Sequence, residues 1–278
     1  MKQIAVLLTV FNRRDCTDKA LYHLFQNKIN EDVSIDIYLT DDGCTDGTSD
    51  MVRQKYPSVI LLHGDGNLFW NHGMYRAWKE ASRRKDYDYY LWLNDDTFLL
   101  ENAINKILED SSSKQDKAII SGATKSALTN ECTYGLHDIK SDKLLVPNGM
   151  LQKGTNLNGN VVLVPKYVFH LLGNLDPYYH HAGGDTDYGL RAKEKDIDVL
   201  LSTEYVGLCE LHPSLSVWCN PDYSFKQRWK ALNKPTGMPL KVLFYHERKH
   251  YGLFVALFHI CTTITHCMFP KLWNSFSL

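Results

Sequence analysis

The sequence predicts an α/β fold: a mostly parallel sheet flanked by helices, with a helical C-terminal extension. Three observations predict it. Short apolar runs rich in branched side chains alternate with segments of helical spacing. Two of these runs end in carboxylates, Asp41-Asp42-Gly43 and Asn94-Asp95-Asp96, and a third acidic cluster, Gly183-Gly184-Asp185-Thr186-Asp187, opens a later helical segment. Finally, the chain changes chemistry near its end, becoming basic and then apolar.

The elements follow in order. Residues 3–11 form a near-continuous apolar run, as expected of a parallel strand covered on both faces. Thr17 to Gln26 has helical spacing, with Ala20, Leu21, Leu24 and Phe25 on one side. A strand at 33–39, a helix near 46–55 and a strand at 58–62 continue the alternation, followed by a helix at about 72–84 and a strand at 88–93. Leu99 to Leu108 reads as a helix. Residues 118–123 read as a strand, and short segments with Asn, Gly, Lys and Thr then run to about 158 as a hairpin-rich insertion. Asn160 to Val164 is a strand, and Pro165 to Leu172 a helix. The cluster at 183–187 opens a helix running to about Lys195, and Val199 to Ser202 is the last strand of a region expected to end near 215.

Composition narrows the function classes. With 278 residues, 44% hydrophobic and 23% charged, the chain buries a sizeable core and is not extensively disordered. A formal net charge of −1 gives no global pull toward nucleic acid. Seven cysteines without CxxC pairs or metal-ligand spacing read as free thiols of a reducing compartment. The apolar N-terminus runs straight into Asn12-Arg13-Arg14-Asp15 without a cleavage site, so a cytoplasmic location is expected.

Residues 216–278 form the predicted extension. Between Asp222 and His250 the local balance is seven Lys/Arg against two acids, and Leu253 to Phe269 then carries no formal charge. On a helix, His259, Thr262, Thr263 and His266 make a thin polar stripe beside a broad apolar face. Two readings stand side by side: peripheral contact with the cytoplasmic face of an anionic inner membrane, and a core or homodimer helix under a basic surface.

Carboxylates at the ends of buried strands lie where open α/β sheets bind ligands, and they suit a divalent metal and the phosphates it bridges. Thr9-Val10-Phe11-Asn12-Arg13 after the first strand, Asp41-Asp42-Gly43-Cys44-Thr45-Asp46-Gly47-Thr48 after the second, Asn94-Asp95-Asp96, and Gly184-Asp185-Thr186-Asp187 ahead of Leu190-Arg191 occur in that order. Over roughly residues 3–215 this set resembles the family-2 glycosyltransferases, inverting enzymes of the GT-A nucleotide-sugar fold, in their bacterial surface-polysaccharide form.

The resemblance implies roles. Thr9 and Asp42 would hold the nucleobase, with Phe11, Asn12 and Arg13 beside them. Asp96 would ligate Mg²⁺ or Mn²⁺, Asp95 would lie nearer the ribose or sugar, and Asn94 departs from the family's frequent first Asp. Asp185 would be the base that takes the acceptor hydroxyl proton, Asp187 instead supporting the helix start or the acceptor. Gly64 to Met74 resembles the family's donor-facing loop, giving Asn67, Trp70 and Gly73 as donor contacts. His212 is a candidate further metal ligand, and Asn158-Gly159-Asn160 a candidate acceptor contact.

Each residue also has a plainer reading. Asp41-Asp42-Gly43 suits an Asx turn, Asp96 and Asp185 suit helix caps, Trp70 a core position, His212 a loop, and residues 158–160 a turn. Among rival classes, a nucleotidyltransferase lacks its early glycine-rich loop here, and Asp46-Gly47-Thr48 lacks the strand context of a phosphohydrolase. A non-catalytic binding relic, or a scaffold of a membrane glycan-assembly complex, finds footing in Asn94, while the joint presence of Asp42, Asp95, Asp96 and Asp185 argues for an enzyme. The expected activity is hexose transfer from a nucleotide-diphosphate sugar, UDP-linked in preference to dTDP-linked, to a hydroxyl of a glycan or lipid-linked oligosaccharide, as in capsule or O-antigen assembly.

Overall fold

A computed structural model describes residues 1–211 and 215–274. Two compact units divide the chain, one of Met1–Pro177 with Asp185–Leu211 and a second of Tyr178–Gly184 with the remainder from 212 onward.

The first unit is built on a mixed sheet. Strand β1 (Lys2–Val10) pairs in parallel with β2 (Val33–Asp41) on one side and with β4 (Tyr89–Leu93) on the other, and β3 (Ile60–His63) continues beyond β2. Between them run helices α1 (Arg14–Phe25), α2 (Thr48–Lys55) and α3 (Phe69–Arg84). Past β4 lie β9 (Val161–Pro165), β6 (Ile119–Lys125), β10 (Val199–Leu208) and the short edge strand β5 (Phe98–Leu99), with β9 antiparallel to both neighbours. Helices α4 (Ala103–Ser113), α5 (Lys166–Leu172) and α6 (Gly184–Glu194) complete the layers, and β7 (Cys132–Tyr134) and β8 (Gln152–Lys153) lie in the hairpin-rich segment, pairing with β6 and β10.

Alternation along β1 shows how the sheet is covered. Ile4, Val6, Leu8 and Val10 join one buried cluster with Leu21, Leu24, Ile104 and Ile107, whereas Ala5 and Leu7 join another with Met74, Trp78, Tyr90, Trp92 and Tyr188. Burial on both faces explains the continuous apolar run. Because β2 and β4 flank β1 while the chain moves outward in opposite directions, the strand order reverses at β1 and β4, where open α/β sheets leave a ligand crevice.

Three expected elements differ. Phe98 and Leu99 belong to a strand, not to the helix expected over Leu99–Leu108: they pair with Leu208 and Gly207, and α4 begins only at Ala103. Such an edge pairing is decided by a partner more than a hundred positions away, which local spacing does not reveal. Helix α3 starts at Phe69 instead of near 72, because the Asp42 carboxylate accepts the amides of Leu68 and Phe69 and caps the helix from another strand. Strand β10 continues past Ser202 to Leu208.

The second unit is helical. Helices α7 (Phe225–Leu232), α8 (Leu240–His250), α9 (Leu253–Met268) and α10 (Pro270–Asn274) make it up, with α7, α8 and α10 packing on α9. Arg228 is buried and donates to the carbonyls of Cys267 and Tyr223, tying α7 to the end of α9. No helix among the described residues is long and apolar enough to cross a membrane.

Candidate active site

The chain leaves β1 at Val10, β2 at Asp41 and β4 at Leu93, so Phe11 to Arg13, Asp42 and Asn94 to Asp96 gather at one edge of the sheet. Parallel pairing dictates this: neighbouring strands end on the same side.

Arg13 joins two of these segments. Its guanidinium donates to Asp95 Oδ1 and to Asp96 Oδ2, each at 3.1 Å. Asp95 is buried, and its Oδ2 has no hydrogen-bond partner. Burial pushes its carboxyl up to about 7, against the opposing pull of Arg13, and the neighbouring charge of Asp96 adds to the rise. Cys209 Sγ stands 4.0 Å from Asp96 Oδ1, and burial pushes that thiol up to about 12.

Asn94 is held at both ends of its amide. Trp70 Nε1–H donates to its Oδ1 at 2.7 Å, and its Nδ2 donates to Asn160 Oδ1 at 3.2 Å. Trp70 therefore serves as a hydrogen-bonding support as well as packing edge-to-face on Trp92, at 6.0 Å between ring centroids. Gly159 lies against the Trp70 ring where a side chain would collide with it. In turn, Gly159 N–H donates to Asp185 Oδ2 at 3.2 Å. The turn at 158–160 is thus a strut joining the Asn94 segment to Asp185.

Asp185 lies in the first turn of α6 and accepts a second amide, Thr186 N–H, on Oδ1 at 2.8 Å. Burial raises its carboxyl above the ordinary range, with the amide donors pulling the other way. That direction suits a group that must accept a proton near neutrality. Asp187 is buried and paired with Arg191 at 2.8 Å, while Arg191 also donates to the carbonyls of Leu172 and Asn174. This network anchors α6.

Asp42 is committed to its own chain. Its Oδ1 accepts Gly66 and Leu68 amides and its Oδ2 accepts those of Leu68 and Phe69, all between 2.9 and 3.1 Å. The carboxylate thereby moulds the loop that carries exposed Asn67 and leads into Trp70. Thr9 packs against Gly73, whose missing side chain leaves room for the Thr9 hydroxyl. Asn12 adopts a left-handed backbone, φ 51°, and its Oδ1 accepts the Thr45 amide at 2.7 Å. Phe11, 51% exposed, presents an open aromatic ring at the same edge.

For a divalent ion, the fit rests on Asp95 and Asp96. The unpartnered, buried Asp95 Oδ2 and the adjacent Asp96 carboxylate are hard oxygen donors, and the guanidinium spanning them shows that the pair accommodates positive charge. Among the described residues no cluster of three or more His, Cys, Asp or Glu is disposed to hold a metal. His212, named above as a ligand, lies outside the described residues.

Sequence reading named Arg13 as a donor contact but missed its bridge to Asp95 and Asp96, and it missed Cys209 altogether. The remaining links, Trp70 to Asn94 and Gly159 to Asp185, join residues 24 and 26 positions apart.

A nucleotide-sugar fold with this carboxylate-lined edge places the protein among the glycosyltransferases, and the chain belongs to glycosyl transferase family 2, whose profile matches residues 5–159. Solved structures share the GT-A fold at low identity. A crystal structure of S. aureus TarS residues 1–349 in complex with UDP is 12% identical, with a TM-score of 0.55, over 90% of this chain and 73% of that one. The mannosyltransferase PcManGT from Pyrobaculum calidifontis, in complex with GDP-Man and Mn²⁺, is 11% identical, with a TM-score of 0.59, over 99% of this chain and 75% of that one. No curated protein matches the sequence.

Proposed function

We propose that the protein is an inverting hexosyltransferase that uses a nucleotide-diphosphate sugar, UDP-linked in preference to dTDP-linked, and glycosylates a hydroxyl of a glycan or lipid-linked oligosaccharide in surface-polysaccharide assembly at the membrane face. The observation that carries this reading is the strut from Asn94 through Asn160 and Gly159 to Asp185, which couples the donor edge to the raised carboxylate of Asp185 at the start of α6. A single base is what inversion needs, since the acceptor oxygen attacks the anomeric carbon opposite the leaving nucleotide without a covalent intermediate.

In this reading Phe11 stacks on the nucleobase and Thr9, Asn12 and the Asp42-moulded loop shape its seat. Asp95 and Asp96 would hold Mg²⁺ or Mn²⁺, which supplies charge neutralisation to the leaving diphosphate. Asn67, Trp70 and Gly73 face the donor, and Asp185 takes the acceptor proton. The UDP and GDP-Man complexes of the structural neighbours support nucleotide-sugar use.

A thermal-shift panel of UDP, dTDP, GDP and CMP, each with Mn²⁺, Mg²⁺ or chelator, tests the donor assignment. Metal-dependent stabilisation by UDP is expected; a response to none of the four nucleotides refutes it.

A further inference from the structure

Helix α9 exposes an apolar face to water. Its polar stripe is half-buried: His259 Nδ1 lies 2.9 Å from Glu247 Oε2, a buried acid of α8, and His266 stacks on Trp273 at 5.5 Å between centroids and meets Trp218 edge-on at 5.0 Å. Ala256 and Cys267 are buried on the same helix. Facing outward at i, i+3, i+4, i+7 and i+14 are Phe254, Leu257, Phe258, Cys261 and Met268, with Phe254 87% and Phe258 64% exposed. A large contiguous apolar patch on a surface marks an interaction site.

Charge in the same unit selects the occupant. From residue 215 to 274, Lys226, Lys230, Lys234, Lys241, Arg248, Lys249 and Lys271 are exposed on or beside α7, α8 and α10, against one exposed acid, Asp222. A second copy of this chain would bring like charge to like charge, whereas an anionic surface is complementary. At 16 residues, α9 is about 24 Å long, short of the roughly 30 Å hydrocarbon core, so it lies in the interface instead of crossing it.

We infer that the Phe254–Leu257–Phe258–Met268 face of α9 docks on an anionic lipid bilayer, its aromatic side chains entering the interface while the lysines and arginines of the neighbouring helices engage lipid phosphates. The inference extends the membrane-side acceptor reading above to a specific face of the molecule, and rests on that reading for its biological sense.

Flotation of the full chain with mixed phosphatidylcholine–phosphatidylglycerol vesicles tests it, beside pure phosphatidylcholine vesicles and the doubly substituted F254S/F258S variant. Both phenylalanines are exposed, so the variant keeps the fold, checked by circular dichroism. The expected result is binding to the anionic vesicles, weakened at high salt and reduced at least about tenfold by the double substitution. Equal binding by the variant, or no binding by the wild type, overturns the inference. So does a wild-type dimer that F254S/F258S converts to monomer without vesicle binding, which makes the face an interface between copies. A wild type that responds to UDP in the thermal-shift panel but ignores vesicles defeats this inference alone; the converse defeats the donor reading alone.

Discussion

Arg13 and Asp95 form an ion pair at 3.1 Å between the first strand's exit and the fourth's, and the same guanidinium reaches Asp96. A positive charge therefore already stands where a divalent ion would be held. Metal and guanidinium compete for the same two carboxylates, so the substitution Arg13→Gln is expected to tighten Mn²⁺ binding to the nucleotide-free protein by up to about fivefold, the scale of one partly exposed ion pair. Isothermal titration calorimetry reads the change. An affinity equal to or weaker than wild type means that Arg13 does not occupy the metal's seat.

The raised carboxyl of Asp95 sets a pH dependence with a definite sign. Folding shifts this group from its ordinary value of 3.8 to about 7, so between those values the folded chain keeps a proton that the unfolded chain has lost. Its stabilising contribution is fully present below about pH 4 and is lost as pH rises through 7. Asp95→Asn removes the titration, and the variant should gain on wild type by up to about 1.4 kcal/mol per pH unit across that window, levelling above it. Denaturant melts of both proteins from pH 5 to 8 check the sign; a constant difference contradicts the raised carboxyl.

Asp42 holds the loop at 66–69 through three amides. Charge-assisted bonds of this kind are worth more than neutral ones, so Asp42→Ala should cost roughly 2–4 kcal/mol of stability and unfasten the start of α3. UDP affinity should fall with it, because the loop loses its shape. Circular dichroism melts and UDP titration of the variant measure both effects; a stable variant with lost UDP binding would assign Asp42 to the base directly, without the loop.

Much of the fold was legible because burial on both faces leaves continuous apolar runs, as at Ile4 to Val10 and Tyr89 to Leu93, and because carboxylates stand where those runs stop. The family emerged from the order of four short motifs, and the profile match over residues 5–159, which spans the first three of them, bears the family out. Relationships set by tertiary partners stayed hidden. Asp42 caps a helix 26 positions away, Phe98 and Leu99 become a strand only because Gly207 and Leu208 lie beside them, and Arg13 finds Asp95 across 82 positions. In α9 the polar stripe was visible, but the contact of His259 with Glu247 depends on α8.

The variant Asp185→Asn isolates the role of Asp185 as the single base of an inverting transfer. Asparagine preserves shape, and its single amide oxygen can still accept the Gly159 amide and keep the strut, while the Thr186 amide loses its acceptor and the proton acceptor is lost. UDP affinity, measured by calorimetry, is expected to stay near wild type while transfer from a UDP-hexose falls by about 10²–10⁴. Transfer at the wild-type rate by a variant that binds UDP normally would contradict it.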